Sequence, residues 1–191
     1  MKGGLVIIGL AGAAGCGKTT SARYLEQQYG MACLAFADPV KRSAWLLHPE
    51  WTWEQVHGRS KESVDKRGIS PRAVFQEIGS AGRRVHPDYW LFAAERTLAA
   101  WRAEQEANQS GVVWTDVRYD NEAAWVRGQG GLVVRLVRSA AQPVRGHESE
   151  AGIREDLVDY VVRNDGSLEL LHAHLDGLVL AVSDGAGADS P

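Results

Sequence analysis

Cysteine and long apolar runs are both scarce in this chain of 191 residues, and each scarcity excludes a class of protein. The two cysteines, Cys16 and Cys33, are too few for a disulfide framework or a tetrahedral zinc site. No apolar run approaches the roughly 18 residues that a membrane-spanning helix needs, so we expect no membrane partner. Because Cys16 lies in a glycine-rich stretch where we expect a reduced thiol, we also expect a cytoplasmic protein.

The chain also lacks an excess of basic residues. Lysine and arginine total 21 against 24 aspartate and glutamate residues, which gives a formal charge of −3. Proteins that bind nucleic-acid polymers neutralise many phosphates with a basic surface, so this balance argues against a polymer partner. The arginines are therefore expected to act locally, each at an individual anionic group.

What the sequence does contain is a glycine-rich stretch at residues 12–19, directly after an apolar run at residues 5–8. Its letters, GAAGCGKT, match the phosphate-loop pattern G-x-x-x-x-G-K-[ST] at every fixed position. A β-branched run leads into the stretch and a helical pattern leads out of it, which is the context this loop requires. The sequence therefore predicts a site for a nucleoside triphosphate.

Each fixed residue of the loop has a chemical task. The glycines let backbone N–H groups turn inward around a phosphate chain, and the helix that follows adds the positive end of its dipole. Lys18 offers a mobile charge to the β- and γ-phosphates, and the Thr19 hydroxyl is a ligand for Mg²⁺. The residues predicted to surround the nucleotide are Gly12, Ala14, Gly15, Cys16, Gly17, Lys18, Thr19 and Thr20.

Short apolar runs alternate with segments of helical periodicity along the rest of the chain. Strands are predicted at residues 5–9, 31–36, 112–115, 132–137 and 160–162, and Asp38, Ser70 and Asp120 are predicted helix caps. This alternation predicts an α/β fold of the P-loop NTPase type, with three α/β/α layers and a central five-stranded parallel sheet. We predict one domain over 1–182, with a helical acceptor-binding excursion at about 40–90, a lid at about 138–150 and a disordered tail at 183–191.

Polar residues follow several of the predicted strands. In parallel sheets, ligands bind beyond the carboxyl ends of the strands, where Gly12, Asp38, Asp116, Arg138 and Asn164 are expected. Phosphoryl transfer needs phosphates held in line, their charge neutralised and water excluded, and arginines with a closing lid meet that need. Arginines occur in the segments that bracket the loop, at Arg42, Arg72, Arg83, Arg84, Arg118, Arg138 and Arg145.

The order of these motifs resembles that of the P-loop deoxynucleoside monophosphate kinases of tailed bacteriophages, over roughly residues 5–175. The shared stretches are the phosphate loop, FADPVK at 36–41, PR and QEIG within 71–79, PDYW at 87–90, DVRYDNE at 116–122, Gly131 with its strand into Arg138, HESE at 147–150 and NDGS at 164–167. The segment at 79–83 departs from the family, because the usual Gly-Thr-Glu is one residue shorter here and carries no carboxylate. Either Arg83 or Arg84 can therefore take the place of the family's arginine.

The resemblance implies a reaction between two small molecules. The γ-phosphoryl group of ATP, with Mg²⁺ bound, would pass to a deoxynucleoside 5′-monophosphate and give ADP and a diphosphate for DNA synthesis. It implies no nucleic-acid polymer as partner, leaves a homodimer open, and places a phage-encoded chain in the host cytoplasm.

Roles for individual residues follow from the same resemblance. Lys18, Arg138, Asp38 and Asp116 are the catalytic candidates, with Thr19 and Asp116 serving the metal. The acceptor is assigned to Asp38, Lys41, Arg42, Arg72, Gln76, Arg83, Trp90, Asp116 and Arg118. The lid is assigned Arg145, His147 and Glu150, and Asn164 is placed near the adenine or at the start of a turn.

Three other functions remain open from the sequence. A kinase for another small acceptor, such as a dephospho-coenzyme A or a modified nucleotide, would share the phosphate loop, but the 87–90 and 116–122 stretches favour a nucleotide acceptor. A regulatory module that hydrolyses ATP slowly would need a large interaction surface, which the sequence does not indicate. A kinase acting on bases within DNA is disfavoured by the net negative charge.

Overall fold

The computed structural model describes residues 5–58, 60–104, 110–141 and 152–185. Its regular elements, in chain order, are β1 (Val6–Ala11), α1 (Lys18–Tyr29), β2 (Ala32–Leu34), α2 (Asp38–Leu47), α3 (Trp53–Val56), α4 (Pro71–Val85), α5 (Tyr89–Glu104), β3 (Gly111–Val117), α6 (Asp120–Gly128), β4 (Leu132–Val137), β5 (Tyr160–Arg163) and α7 (Leu168–Gly185). Single 3₁₀ turns occur at Ser60–Glu62 and Glu155–Leu157. The chain divides into two compact units, a first unit of residues up to 35 and from 103 onward, and a second unit of residues 36–102.

The first unit is built on one parallel sheet with the strand order β2-β3-β1-β4-β5. β1 is central, because it pairs with β3 on one side and with β4 on the other. All six of its residues are buried, as expected for a parallel strand that is covered on both faces. The predicted fold class, a parallel five-stranded α/β sheet, is confirmed.

Apolar contacts between the sheet and two helices hold the first unit together. Ile8 on β1, Leu25 on α1 and Leu175 on α7 all have no exposed surface, and they belong to one core cluster. Burial of one such side chain stabilises a fold by about 1.5–3 kcal/mol. The sheet and α1 therefore form a rigid base for the loop that joins β1 to α1.

The second unit is a helical cluster around Trp51, which is 4% exposed. The indole N–H of Trp90 donates to the Gly79 carbonyl at 2.8 Å and ties α5 to α4. A Cβ on Gly82 would lie 2.8 Å from the same indole ring, so glycine permits this close approach. Trp53, in contrast, is 63% exposed, because Val56 is the residue that α3 buries.

Two predicted helix starts need correction. Ser70 caps α4 as predicted, because its Oγ accepts the Ala73 N–H at 3.3 Å. Asp38, however, is the first residue of α2 and makes no cap hydrogen bond; its carboxylate pairs with Lys41 at 3.2 Å instead.

Asp120 is likewise the first residue of α6 and not its cap. The buried carboxylate of Glu122 accepts the backbone N–H groups of Arg118 and Tyr119, at 2.8 and 3.2 Å, and so performs the capping function from inside the helix. Asp120 instead accepts the N–H of Arg154 at 2.8 Å.

The C-terminal helix is longer than predicted. α7 continues to Gly185, three residues into the stretch for which the sequence predicted disorder, and residues 186–191 lie outside the described ranges. Of the helices within those ranges, none combines the length and apolar character that crossing a membrane requires.

Candidate functional site

The loop between β1 and α1 has the backbone geometry of a phosphate cradle. Gly12, Gly15 and Gly17 have φ angles of 130°, 78° and 112°, which side-chain-bearing residues rarely adopt. At Gly12 space is also a constraint, because a Cβ there would lie 2.3 Å from the Leu136 carbonyl oxygen. α1 begins at Lys18, so the N–H groups of its first turn and the positive end of its dipole point into this loop.

Lys18 folds back over the loop. Its ammonium group donates to the carbonyl oxygens of Gly12 and Ala13, the latter at 2.8 Å, and lies 3.8 Å from the Cys16 sulfur. Thr19 and Thr20 are exposed in the first turn of α1. The loop thus presents a cation and hydroxyl groups beside the N-terminal end of a helix, which is the donor set that a triphosphate and Mg²⁺ require.

A cleft of about 330 Å³ opens beside this loop within the first unit. The ends of β3 and β4 form its other wall, and three arginines, Arg118, Arg135 and Arg138, line it. The remaining lining residues are Ala11, Gly12, Ala13, Ala14, Cys16, Val117, Leu136, Val137, Ala141, Gly152, Ile153 and Glu155. The cleft is in the size range of small-ligand pockets, and its charge suits an anion.

Two of the cleft arginines were predicted and one was missed. Arg118 and Arg138 were expected, whereas Arg135 lies in the middle of β4 and was interpreted as part of an apolar strand. Its guanidinium pairs with the carboxylate of Glu155 and donates to the carbonyl of Ile153. The sequence did contain an indication that Arg135 makes a polar contact, because a single arginine in an otherwise apolar buried strand needs a polar partner.

Asp116 was predicted at the carboxyl end of its strand, but β3 continues to Val117, so Asp116 is inside the strand and half buried. Val117 is the residue of β3 that lines the cleft. Arg118 follows directly, and its backbone is fixed because its N–H donates to the Glu122 carboxylate. A role for Asp116 beside the metal remains a prediction.

Asn164 connects the end of β5 to the phosphate loop. Its side-chain amide donates to the carbonyl oxygen of Cys16 at 2.9 Å, and its backbone N–H donates to Val137 at 2.7 Å. The predicted placement of Asn164 near the adenine stays a prediction.

The second unit carries seven of the predicted acceptor residues, on the three helices α2, α4 and α5. On α4, Arg72, Gln76 and Arg83 are separated by four and seven positions, so the 3.6-residue period places them on one face. Arg84 lies off this face and is exposed, whereas Arg83 is half buried. Arg72 pairs with the carboxylate of Glu62.

On α2, Arg42 is exposed, and Asp38 and Lys41 form the ion pair described above. Burial, and next the charge of Lys41, lower the pKa of His57 below its ordinary value. Because His57 is therefore neutral near pH 7, it does not add a positive charge for a phosphate group. Trp90 is predicted to contact the acceptor, and in the structure it packs α5 against α4.

Comparisons with known proteins agree with this description. The profile of the deoxynucleotide monophosphate kinase family matches residues 66–175. A protein of Acanthamoeba polyphaga mimivirus, named "Putative deoxynucleotide monophosphate kinase", is 30% identical over 186 residues, which cover 90% of this chain and 94% of that protein. The chain belongs to the deoxynucleotide monophosphate kinase family.

Two further proteins are similar to parts of this deoxynucleotide monophosphate kinase family member or to its fold. The deoxynucleotide monophosphate kinase of Escherichia phage RB69 is 36% identical over 67 residues, 35% of this chain and 28% of the phage protein. The unliganded crystal structure of a sugar kinase from Janibacter sp. HTCC2649 superposes with a TM-score of 0.50 at 13% identity, covering 97% of this chain and 99% of that one. This last similarity supports the fold alone.

The family match includes the residues of α4 and both predicted cleft arginines. It begins after the phosphate loop, which is supported by its own backbone geometry. The lid residues Arg145, His147 and Glu150 lie outside the described residues.

Proposed function

We propose that this kinase transfers the γ-phosphoryl group of ATP to a deoxynucleoside 5′-monophosphate, releasing ADP and the corresponding diphosphate. The observation that carries the proposal is the cleft beside the phosphate loop, which Arg118 and Arg138 line, whereas the charge of the third arginine, Arg135, is paired with Glu155. Phosphoryl transfer depends on positioning and on charge neutralisation more than on covalent help from the protein, and this cleft supplies both.

The donor phosphates are held by the loop. The N–H groups at the start of α1 bind the phosphate oxygens, and the Lys18 ammonium exchanges its present carbonyl partners for the β- and γ-phosphates. The Thr19 hydroxyl and the Asp116 carboxylate are the groups that would hold Mg²⁺, which would neutralise charge on the phosphate oxygens.

Arg138 is the residue that we assign to the transferring phosphoryl group. It lies at the carboxyl end of β4 and lines the cleft, with Ser139 anchored immediately after it. A guanidinium in this position stabilises the charge that spreads over the equatorial oxygens in the transition state. Arg118 contributes a second guanidinium from the end of β3.

The monophosphate is bound by the α4 face of the second unit. Arg72 offers a fork to the 5′-phosphate, Gln76 offers a paired donor and acceptor to the edge of the base, and Arg83 is the second cation on the same face. Because Arg84 lies off that face, we assign the family's arginine to Arg83. The acceptor phosphate is already ionised near pH 7, so Asp38 acts by positioning and not as a general base.

The test is a measurement of ADP formation from ATP and Mg²⁺ with each deoxynucleoside monophosphate in turn. We expect at least one monophosphate to raise ADP release well above the rate without acceptor, and to appear as its diphosphate in stoichiometric amount. If every monophosphate leaves the rate at the level without acceptor, the proposal is wrong. Dephospho-coenzyme A and a ribonucleoside monophosphate, assayed in parallel, identify a different acceptor.

A further inference from the structure

The turn that follows β5 contacts both walls of the cleft. The N–H of Asn164 donates to the Val137 carbonyl at 2.7 Å and continues the hydrogen-bond ladder between β4 and β5. The position of the Asn164 backbone is therefore fixed by the sheet. From this fixed point its side-chain amide reaches the Cys16 carbonyl of the phosphate loop, at 2.9 Å.

The bond to the Cys16 carbonyl determines where the next amide group points. A peptide unit is planar and trans, so the Cys16 C=O and the Gly17 N–H point in opposite directions. When Asn164 holds the carbonyl on one side, the Gly17 N–H is directed to the other side, away from Asn164. In a phosphate loop the N–H groups are the ligands, so this single contact orients one of them.

Gly17 shows how closely the amide is seated against the loop. A Cβ at this position would lie 2.3 Å from the Asn164 Nδ2 atom, and its φ of 112° already favours glycine. The absence of a side chain at Gly17 therefore does two things. It permits the turn of the loop, and it admits the asparagine side chain.

The neighbouring residue makes an equivalent contact on the other wall. Asp165 accepts the Ser139 N–H at 2.7 Å with one carboxylate oxygen and the Ser139 hydroxyl at 3.0 Å with the other. Ser139 directly follows Arg138, which lines the cleft. The hydrogen bonds from Ser139, and then the charges of Arg163 and Arg138, hold the pKa of Asp165 below its ordinary value, so the carboxylate is ionised at neutral pH.

We propose that Asn164 and Asp165 are positioning residues for phosphoryl transfer, Asn164 by orienting the Gly17 amide toward the donor phosphates and Asp165 by fixing the strand end that carries Arg138. The inference rests on the proposed function in two respects, namely that the loop binds the phosphates of ATP and that Arg138 acts on the transferring phosphoryl group. Neither residue needs to touch the substrate. Asn164 acts on nucleotide affinity through the loop, and Asp165 acts on turnover through Arg138.

The Asn164 half is tested by binding of mant-ADP, followed by fluorescence, to the full chain and to three variants. Asn164→Ala removes the donor, Asn164→Leu keeps a similar volume without it, and Ser167→Ala is a control in the same turn. Loss of one hydrogen bond of this kind predicts that both Asn164 variants weaken the Kd about tenfold, while Ser167→Ala stays within about twofold. If Asn164→Leu binds mant-ADP as tightly as the natural chain, the side chain only fills space and the inference is overturned.

The Asp165 half is tested by steady-state kinetics. We expect Asp165→Ala to lower kcat about tenfold while the Kd for mant-ADP stays within about twofold. Asp165→Asn keeps one acceptor oxygen, so we expect it to lower kcat less than Asp165→Ala does. Equal changes in kcat and Kd, or no change in either, would overturn this half. Thermal unfolding of each variant identifies any loss caused by misfolding, and a variant that fails to fold is replaced by Asp165→Asn or Asn164→Ser.

Failure of the inference and failure of the proposed function give different results. Binding of mant-ADP requires no acceptor, so a natural chain that binds it but phosphorylates no monophosphate contradicts the proposed function. In that case the Asn164 variants still test whether the contact with the loop affects nucleotide affinity. A natural chain that phosphorylates a monophosphate, with unchanged nucleotide affinity in both Asn164 variants, contradicts the inference alone.

Discussion

The two units of this kinase present their functional groups in different ways. In the first unit the groups are held by the backbone: three glycines with positive φ form the loop, and strand ends carry Arg118 and Arg138. In the second unit they are charged side chains on helix surfaces, paired with other exposed side chains such as Glu62 with Arg72. A change in backbone geometry is costly, whereas a surface ion pair contributes only about 0–1 kcal/mol to stability. We therefore expect substitutions in the first unit to have the larger effects.

The largest effect is expected for Lys18→Ala. The substitution removes the only side-chain cation of the phosphate-loop motif, so transfer should fall by about three orders of magnitude or more, a loss typical of charge-stabilising groups at a transferring phosphoryl. Turnover is the measurement, with circular dichroism to verify the fold. Lys66→Ala, an exposed lysine of the second unit, is the control and should leave turnover unchanged. Substantial activity in Lys18→Ala would mean that the loop is not the donor site.

Arg138→Ala should have the next largest effect. If its guanidinium stabilises the transition state, kcat should fall on the order of 10³-fold while the KM for ATP changes little. Arg96→Ala removes an exposed arginine of α5 that does not line the cleft, and this variant should stay near the natural rate. A loss confined to KM would instead assign Arg138 to ground-state binding of a phosphate.

The same contrast between the units explains what could be predicted from the sequence. The phosphate loop is a contiguous motif whose glycines, lysine and threonine each have a local reason, and β4 was predicted with its observed bounds, Leu132–Val137. The contact between Asn164 and Cys16 joins residues 148 positions apart, so no local pattern contains it. Asp38, followed by Pro39, and Asp120 were predicted as caps from the local sequence, but Asp38 forms an ion pair and Asp120 accepts a distant N–H.

Arg135 illustrates a different limit. The apolar run at residues 132–137 predicts a buried strand. Arg135 is the one charged residue in this run, and it was interpreted as part of the strand without a role of its own. In the structure its side chain is 18% exposed and reaches Glu155, twenty positions away. The periodicity was therefore sufficient to predict the strand, but it could not indicate that the arginine would line the cleft.

In the second unit, Arg72→Ala should raise the KM for the monophosphate about 10- to 100-fold, because a charge-assisted bidentate contact is lost. The KM for ATP should stay within about twofold, since no atom of the phosphate loop is altered. Steady-state kinetics with each substrate varied in turn is the measurement. Equal increases in both KM values would remove Arg72 from the acceptor site.

A comparison of Arg83→Ala with Arg84→Ala tests the helix-face argument. The two substitutions are chemically identical and adjacent in sequence, but only Arg83 shares the face of Arg72 and Gln76. We expect Arg83→Ala to raise the KM for the monophosphate about tenfold and Arg84→Ala to change it less than twofold. The reverse order would mean that the shortened segment at 79–83 has shifted the substrate contact to Arg84.

The smallest effect is expected for Glu62→Gln. Glu62 is 67% exposed and its partner Arg72 is 34% exposed, so the pair is largely screened by solvent. A 5′-phosphate that binds Arg72 competes with this carboxylate for the guanidinium, and Glu62→Gln removes that competition. The KM for the monophosphate should therefore fall about two- to threefold, an amount consistent with the small contribution of a surface ion pair. A rise in that KM would show instead that Glu62 holds Arg72 in the orientation that the phosphate requires, and the double variant Glu62→Gln with Arg72→Ala should then match Arg72→Ala alone.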